Sequence, residues 1–454
     1  MSRLLLAFLA LISLNASAQV ISGPMLGPVE LRDAIIWLEV APTVRSVKVV
    51  YTPVSNIGKK VAQPSVTYTG KLGAASNPVS LVLADLEPNT VYNYSIIIDG
   101  KAVPGAGGAF RTKELWQWRK PAPDFSFLTG SCAYFNEPVY DRPGTPYGGD
   151  SSIFLTMAKE NAAFTLWLGD NWYYREVDFF SPSGLWYRAR RDRAQPVLQP
   201  LLRKMPHYAI WDDHDFGPND SDKSYTLREE SRKVFTSYWP NSSAGSGGEG
   251  IYTKVSYGDV DIFMMDDRWF RSANAMNPDD SSGAPNAAKR MWGAQQLEWL
   301  KNALLSSNAT FKIIATGNQT LNPMARAECL QDYPAEFNEF LSFLRQERID
   351  GLLFLTGDRH HSEVIRWERP GSYPLYDVTN SPFTSGISKV TGTPEAANPA
   401  RIGGTLVEAQ NYSRVRVSGA GGKRRLQVEF VGIDGRTLGA WSVSESELKT
   451  PAAR

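Results

Sequence analysis

Trp211-Asp212-Asp213-His214-Asp215-Phe216-Gly217-Pro218-Asn219-Asp220 crowds four carboxylates and an imidazole into ten residues. The run leading into it, His207-Tyr208-Ala209-Ile210-Trp211, is mostly apolar and reads as a short buried strand. Gly217-Pro218 closes the stretch as a turn. Like charges at this density repel one another unless a cation sits among them. One reading is a surface turn with an N-capping Asp. The other is a metal site built at a strand end, because Trp and Phe sit poorly in a solvated acidic loop. The rest of the chain decides between them.

The same pattern recurs through residues 124–446, after the Pro-containing junction Trp116 to Pro123. Phe125-Ser126-Phe127-Leu128-Thr129 runs into Gly130-Ser131-Cys132, and Phe164-Thr165-Leu166-Trp167-Leu168 into Gly169-Asp170-Asn171-Trp172-Tyr173. Ile262-Phe263-Met264-Met265 ends in Asp266-Asp267-Arg268, and Phe311 to Thr316 in Gly317-Asn318-Gln319. Leu352 to Thr356 ends in Gly357-Asp358-Arg359-His360-His361. Six buried strands with polar residues at their C-terminal ends are how open α/β sheets build sites. Helices are expected over 151–161 and 295–306, and over 185–204 around Pro196 and Pro200. The stripe Arg188, Arg190, Arg191 and Arg193 reads as a solvated helix face, with a phosphate clamp as the alternative. Strand signals at 414–417 and 426–431 read as edge or closing strands of the same sandwich.

The chain has 454 residues, 42% apolar and 21% charged, which suits two domains with ordinary cores. A formal net charge of +1 gives no electrostatic case for nucleic acid or a membrane surface as a partner. Ser2-Arg3, the apolar run Leu4 to Ile12 and Ala16-Ser17-Ala18 together read as a secretory signal peptide over 1–18. The expected product is exported, periplasmic or extracellular, without a membrane anchor. Residues 19–115 read as a β-sandwich module. Leu86-Glu87-Pro88-Asn89-Thr90-Val91-Tyr92-Asn93-Tyr94 resembles the corner of fibronectin type III domains. For the two cysteines, Cys132 and Cys329, a disulfide is the default in an exported protein, unless Cys132 is a ligand.

The candidate ligands are Cys132, Asp170, Tyr173, Asp213, Asp358 and His360. Asp170 and Tyr173 lie three apart and can face one point; Asp358 and His360 lie two apart and can serve adjacent centres. A thiol and a phenol ionise near pKa about 8.5 and about 10, so only a strongly polarising cation deprotonates both near neutrality. Ferric iron fits, zinc less specifically. The oxygen donors Asp213 and Asp358, with Asp170 shared, suit calcium. A two-metal hydrolase is the economical conclusion.

Gly-Ser-Cys, Gly-Asp-x-x-Tyr, Trp-Asp-Asp-His-Asp-Phe, Gly-Asn-Gln and Gly-Asp-x-His-x-Ser, in that order, resemble the PhoD family of alkaline phosphatases, within the calcineurin-like metallophosphoesterases. The resemblance implies a four-layer αββα sandwich preceded by a fibronectin III or Ig-like domain. It implies an enzyme acting on small phosphate monoesters through attack of a metal-bound hydroxide; the expected oligomeric state is a monomer. Ferric iron would be held by Cys132, Asp170, Tyr173 and His360, with calcium on Asp170, Asp213 and Asp358. His214 would sit beside the phosphate, and Asn318 or Gln319 would supply an amide for substrate. A phosphodiesterase on the same site and a secreted binding protein with a degenerate enzyme domain are the alternatives. This chain has Asp215 where many relatives carry Glu, and His361 where many carry a small residue.

Overall fold

The computed structural model describes residues 19–59, 62–325 and 328–451. The basic start, the apolar run and the Ala16-Ser17-Ala18 cleavage site lie outside the described residues. The chain divides into two units. One holds the described residues up to Leu115 together with Ala189–Tyr208 and Ser237–Asn241; the other holds the remainder.

The first unit contains β1 (Val20–Val29), β2 (Ala34–Val40), β3 (Val47–Pro53), β4 (Ser65–Thr67), β5 (Pro78–Leu83), β6 (Val91–Ile98), β7 (Lys101–Ala102) and β8 (Gly108–Arg111). They form two antiparallel sheets, β1-β2-β5 and β4-β3-β6-β7, with β8 paired to β6. Alternation decides which side chains enter the core. Val79, Leu81 and Leu83 point inward from β5, and Tyr92, Tyr94, Ile96 and Ile98 from β6. The Leu86-to-Tyr94 motif makes a tyrosine corner, in which the Glu87 N–H donates to the Tyr92 hydroxyl at 2.9 Å. The arginine stripe is not a solvated face. Arg188 is buried, 2.7 Å from Asp178 and 2.8 Å from Glu137, and Arg193 stacks over Trp239 at 3.5 Å. Long guanidinium stems bury readily where carboxylates or ring faces receive the head.

The second unit carries mixed α/β sheets. Its strands are β9 (Phe125–Gly130), β10 (Thr165–Leu168), β11 (His207–Ile210, of which His207 and Tyr208 are counted with the first unit), β12 (Thr253–Tyr257), β13 (Val260–Met264), β14 (Phe311–Ala315), β15 (Leu352–Thr356), β16 (Glu363–Trp367), β17 (Leu375–Thr379), β18 (Asn411–Ser418), β19 (Arg425–Gly432) and β20 (Thr437–Ser444). One six-stranded sheet runs β11-β10-β9-β18-β19-β20 and the other β12-β13-β14-β15-β17-β16. All six expected buried runs are strands, three in each sheet. β9 and β10 pair in parallel, as do β13, β14, β15 and β17. The C-terminal strands join antiparallel, β18 against β9. The sheets share aromatic contacts: Tyr257 packs on Phe125 at 4.7 Å and on Phe164 at 5.6 Å.

Seven helices are described: α1 (Ile153–Met157), α2 (Pro182–Arg193), α3 (Gln199–Lys204), α4 (Asp213–Phe216), α5 (Arg228–Tyr238), α6 (Gly293–Leu305) and α7 (Pro334–Gln346). The helix expected over 151–161 is only the short α1, and the 185–204 stretch breaks at Gln195 before a 3₁₀ turn over Pro196–Leu198. Proline supplies no N–H for a continuous ladder, which explains the break. α6 buries Leu297, Leu300 and Leu304 on one face. Its Gln296 accepts from Asp266 N and donates to Asp266 O, both at 2.7 Å, pinning the chain beyond β13. None of the described helices is long and apolar enough to cross a membrane.

At the end of β10, Gly169 has φ of +96°, and a Cβ there would stand 2.6 Å from Asp212 Cβ and 2.9 Å from Asp212 N. Gly169→Ala is expected to destabilise the protein by roughly 2–4 kcal/mol through backbone strain and overpacking. Thermal unfolding checks this; a melting temperature equal to wild type would contradict the close approach.

Candidate functional site

The strand ends turn sharply. Among the described residues eleven non-glycine residues have positive φ, and six of them are Cys132, Asp170, Asp220, Glu328, Asp358 and His360. Left-handed backbone costs an L-residue about 1–2 kcal/mol, so this concentration marks a constellation held in place by its surroundings. Five of the six line one cleft of about 680 Å³, together with Asp213, His214 and Tyr147. Cys132 lies beneath it, fully buried.

Donor atoms of Cys132, Asp170 and His360 lie within 4.8 Å of one another, and so do those of Asp170, Asp213 and His214. Asp170 belongs to both groups. Its Oδ2 is 3.6 Å from Cys132 Sγ and accepts from the Tyr173 hydroxyl at 3.0 Å. Tyr173 also stands 3.3 Å from His360 Nε2. Asp170 Oδ1 accepts from His214 N at 3.2 Å. The His214 ring packs on Tyr173 at 4.2 Å, with Nε2 3.9 Å from Asp213 Oδ2. Asp358 lines the same cleft, outside these compact groups. Both cysteines are free buried thiols, so the default disulfide does not form.

The opening acidic stretch serves two purposes. Asp212 and Asp215 form a capping box at α4, with Asp212 N donating to Asp215 Oδ1 at 2.7 Å. Asp215 Oδ2 also accepts from Asn171 N at 3.0 Å, tying the β10 loop to α4. Asp213 and His214, in the first turn of that helix, face the cleft. Capping thus falls to Asp212 and Asp215, both buried rather than in a surface turn, and Asp213 and His214 are left to line the cleft.

Charge is distributed unevenly. Arg268, fully buried, lies 2.5 Å from Asp212, 2.9 Å from Glu328 and 3.8 Å from Asp213. Arg271 adds a second contact to Glu328 at 2.7 Å. Burial, then Asp213, Cys132, Asp215 and Asp358, pushes the Asp170 carboxyl well above the usual carboxylate range. Burial raises the Cys132 thiol to about 12, and burial with Asp170 and Cys132 raises the Tyr173 phenol. Burial and the Glu328 charge lift Asp358 to about 8. Asp213 is the exception: burial opposes ionisation, but His214 and Arg268 hold it below the ordinary value. Burial and the neighbouring His214 lower His360 to about 4, leaving a neutral imidazole with a lone pair. Acids that resist ionisation alone, beside a neutral imidazole, fit a multivalent cation that supplies the missing charge.

A further cluster, His361, Glu363 and Glu395, also lies within 4.8 Å. It is already compensated, by Arg401 at 2.6 Å from Glu363 and Arg359 at 2.7 Å from Glu395. Asn318 and Gln319 are fully buried and do not line the cleft. Asn318 Nδ2 donates to Asp212 at 3.2 Å, and its Oδ1 accepts from Arg268 and Arg271. Gln319 donates to Glu363 and Thr379, both at 2.8 Å. These amides brace the walls. Sequence reading missed Tyr147, Arg268 and Glu328, and did not single out Asp220 from the acidic stretch. Arg268 carried a signal in its place directly after a buried strand, whereas Tyr147 and Glu328 sit in loops with no periodicity to flag them.

Comparison with known proteins gives concordant matches. The PhoD-like phosphatase family model matches residues 127–400. Alkaline phosphatase D of Bacillus subtilis is 24% identical, over 67% of this chain and 55% of that protein, so the chain spans little more than half its relative's length. A solved structure of PhoD superposes with a TM-score of 0.74 at 19% identity, covering 94% of this chain and 89% of that one. A purple acid phosphatase from yellow lupin (Lupinus luteus) seeds gives 0.64 at 10% identity, covering 93% and 74%. At these identities the two structures show a shared fold.

Raised carboxyl values stabilise the folded state below their ordinary range, and that contribution is lost as pH rises through the folded value. Asp358, near 8, and Asp170 therefore make the metal-free protein less stable at pH 8 than at pH 6. The lowered His360 acts oppositely, but its stabilisation is lost only as pH falls from about 6.5 towards 4. Melting curves of chelator-treated protein across pH 6–9 check this; a flat or rising profile would contradict it. Asp170→Asn should raise the melting temperature of the same metal-free protein at pH 8, by relieving about 1 kcal/mol or more of repulsion.

Proposed function

The chain belongs to the PhoD-like phosphatase family, and on that premise we propose that it is an exported, metal-dependent phosphatase acting on phosphate monoesters in the cleft around Asp170. The observation that carries this reading is the place of Asp170 in two donor groups at once. A carboxylate shared by two donor sets is how a protein keeps two cations close enough to address one phosphoryl group.

We assign Cys132, Asp170, Tyr173 and His360 to ferric iron, and Asp170, Asp213 and Asp358 to calcium. Thiolate and phenolate donors favour the more polarising ion, and the all-carboxylate set favours the hard divalent one. Bound there, the pair would offset charge on the phosphoryl oxygens and lower the pKa of a water.

The chain's own residues complete the site. His214 is anchored through its backbone N–H on Asp170 and through its ring on Tyr173, which leaves the imidazole at the cleft. There it donates a hydrogen bond to a phosphoryl oxygen or to the leaving alkoxide. Asp213, held ionised, keeps its charge available for the calcium side. Arg268 and Arg271 occupy Glu328 and Asp212, so these acids do not compete for the cations. The basic start and short apolar run of residues 1–18 support export. We read the first unit as a fibronectin III or Ig-like domain, the second as a four-layer αββα sandwich, and the active species as a monomer.

Asp170→Ala is expected to lower kcat on 4-nitrophenyl phosphate by about a thousandfold or more, since both donor groups lose a member. Retention of activity within tenfold would sink the reading. The purified enzyme should carry a visible phenolate-to-iron absorption band that Tyr173→Phe abolishes. A colourless, iron-free but fully active wild type would overturn the iron assignment.

A further inference from the structure

His360 offers its two ring nitrogens to different partners. Nε2 stands 3.3 Å from the Tyr173 hydroxyl, on the side of Asp170. Nδ1 stands 3.1 Å from the hydroxyl of Tyr147. A neutral imidazole has one proton, so it can present a lone pair through Nε2 only while Nδ1 carries that proton. What Nδ1 meets therefore decides whether His360 is ready to ligate. Among the described residues, the Tyr147 hydroxyl has no hydrogen-bond partner other than this ring.

Tyr147 is well held, although its side of the cleft is open. Its ring packs edge-on against Tyr134 at 4.9 Å and Tyr173 at 6.1 Å. Tyr134 is itself fixed, with the Arg175 guanidinium 3.9 Å from its ring centroid and its hydroxyl donating to Asp141 at 2.8 Å. On another side Gly386 comes so close that a Cβ there would stand 3.1 Å from the Tyr147 ring. The following residues are tied down by paired bonds between Asn136 and Gly148, at 2.7 and 2.9 Å, and by Gly149 N on Thr384 O at 2.7 Å. The phenol oxygen is thus presented to Nδ1 by packing from several directions.

We propose that Tyr147 is a positioning residue for the metal centre: its phenol oxygen accepts the Nδ1 proton of His360 and so fixes the tautomer and ring orientation in which Nε2 faces Cys132, Asp170 and Tyr173. The proposal rests on the metal-centre reading above. A ligating histidine commonly gives its other N–H to a carboxylate or a backbone carbonyl. Here a carboxylate would add one more negative charge beside Asp170, Asp213 and Asp358, whereas a neutral phenol orients the ring without that repulsion.

Tyr147→Phe keeps the ring and its packing and deletes one oxygen. The test takes holoenzyme purified without chelators, measures bound metal by atomic spectrometry, and follows metal loss to excess EDTA in wild type and variant. Loss from Tyr147→Phe should be about tenfold faster or more, the scale seen when a ligand's hydrogen-bond partner is removed, while the chelator-stripped proteins melt together. Equal rates of loss overturn the proposal. So does a melting difference as large in the stripped pair as in the holo pair, which would mark Tyr147 as a packing residue only. A wild type that binds no metal overturns the metal-centre reading itself, and this proposal with it.

Discussion

Buried like charges dominate this protein. Asp170, Asp213 and Asp358 line one cleft, with a buried thiol and phenol against Asp170, and a low-dielectric environment magnifies both their repulsion and their loss of hydration. Such a cluster persists only if the scaffold forces it together and something compensates the charge. The scaffold does so by following β10 and β15 with residues of positive φ, Asp170, Asp358 and His360, which themselves line the cleft. The large paired cores of the two sheets carry the cost of that strain.

Compensation follows a division of labour. At the periphery, guanidinium groups do the work: Arg268 and Arg271 take Asp212 and Glu328, and Arg359 and Arg401 take Glu395 and Glu363. Nearer the centre Arg268 comes within 3.8 Å of Asp213, which stays ionised, while the Asp170 carboxyl shared by both donor groups resists ionisation by itself. Four arginines thus serve the surrounding acids and leave Asp170, the member common to both donor groups, to a different kind of cation. On the proposed reading that cation is a metal pair, with Asp170 as the shared ligand and Tyr147 fixing the histidine on one flank.

Much of this was legible in the chain. Short apolar runs ending in Gly-Asp, Gly-Ser-Cys or Asp-Asp-His report strand and site together, because a fully buried strand needs an unbroken apolar stretch and the turn after it needs glycine. The six runs were therefore readable one by one, though not their division between two sheets, since pairing of parallel strands depends on contacts far apart in sequence. The arginine stripe at 188–193 misled because a charged helix face looks the same whether water or buried carboxylates receive it. Tyr147 and Glu328 were silent for a related reason. Each enters the cleft from a loop, where neither periodicity nor neighbouring residues show which way a side chain turns. Asp215 looked like part of the charged cluster and is a helix cap, a distinction that only the bond from Asp212 N makes visible.

The central claim is that one carboxylate, Asp170, stands between two metal ions. Anomalous X-ray diffraction from crystals grown without chelators addresses it most directly. The account predicts two anomalous peaks flanking that carboxylate, one beside Cys132 and His360 and one beside Asp213. A cleft without peaks, or a lone ion held away from Asp170, would contradict it.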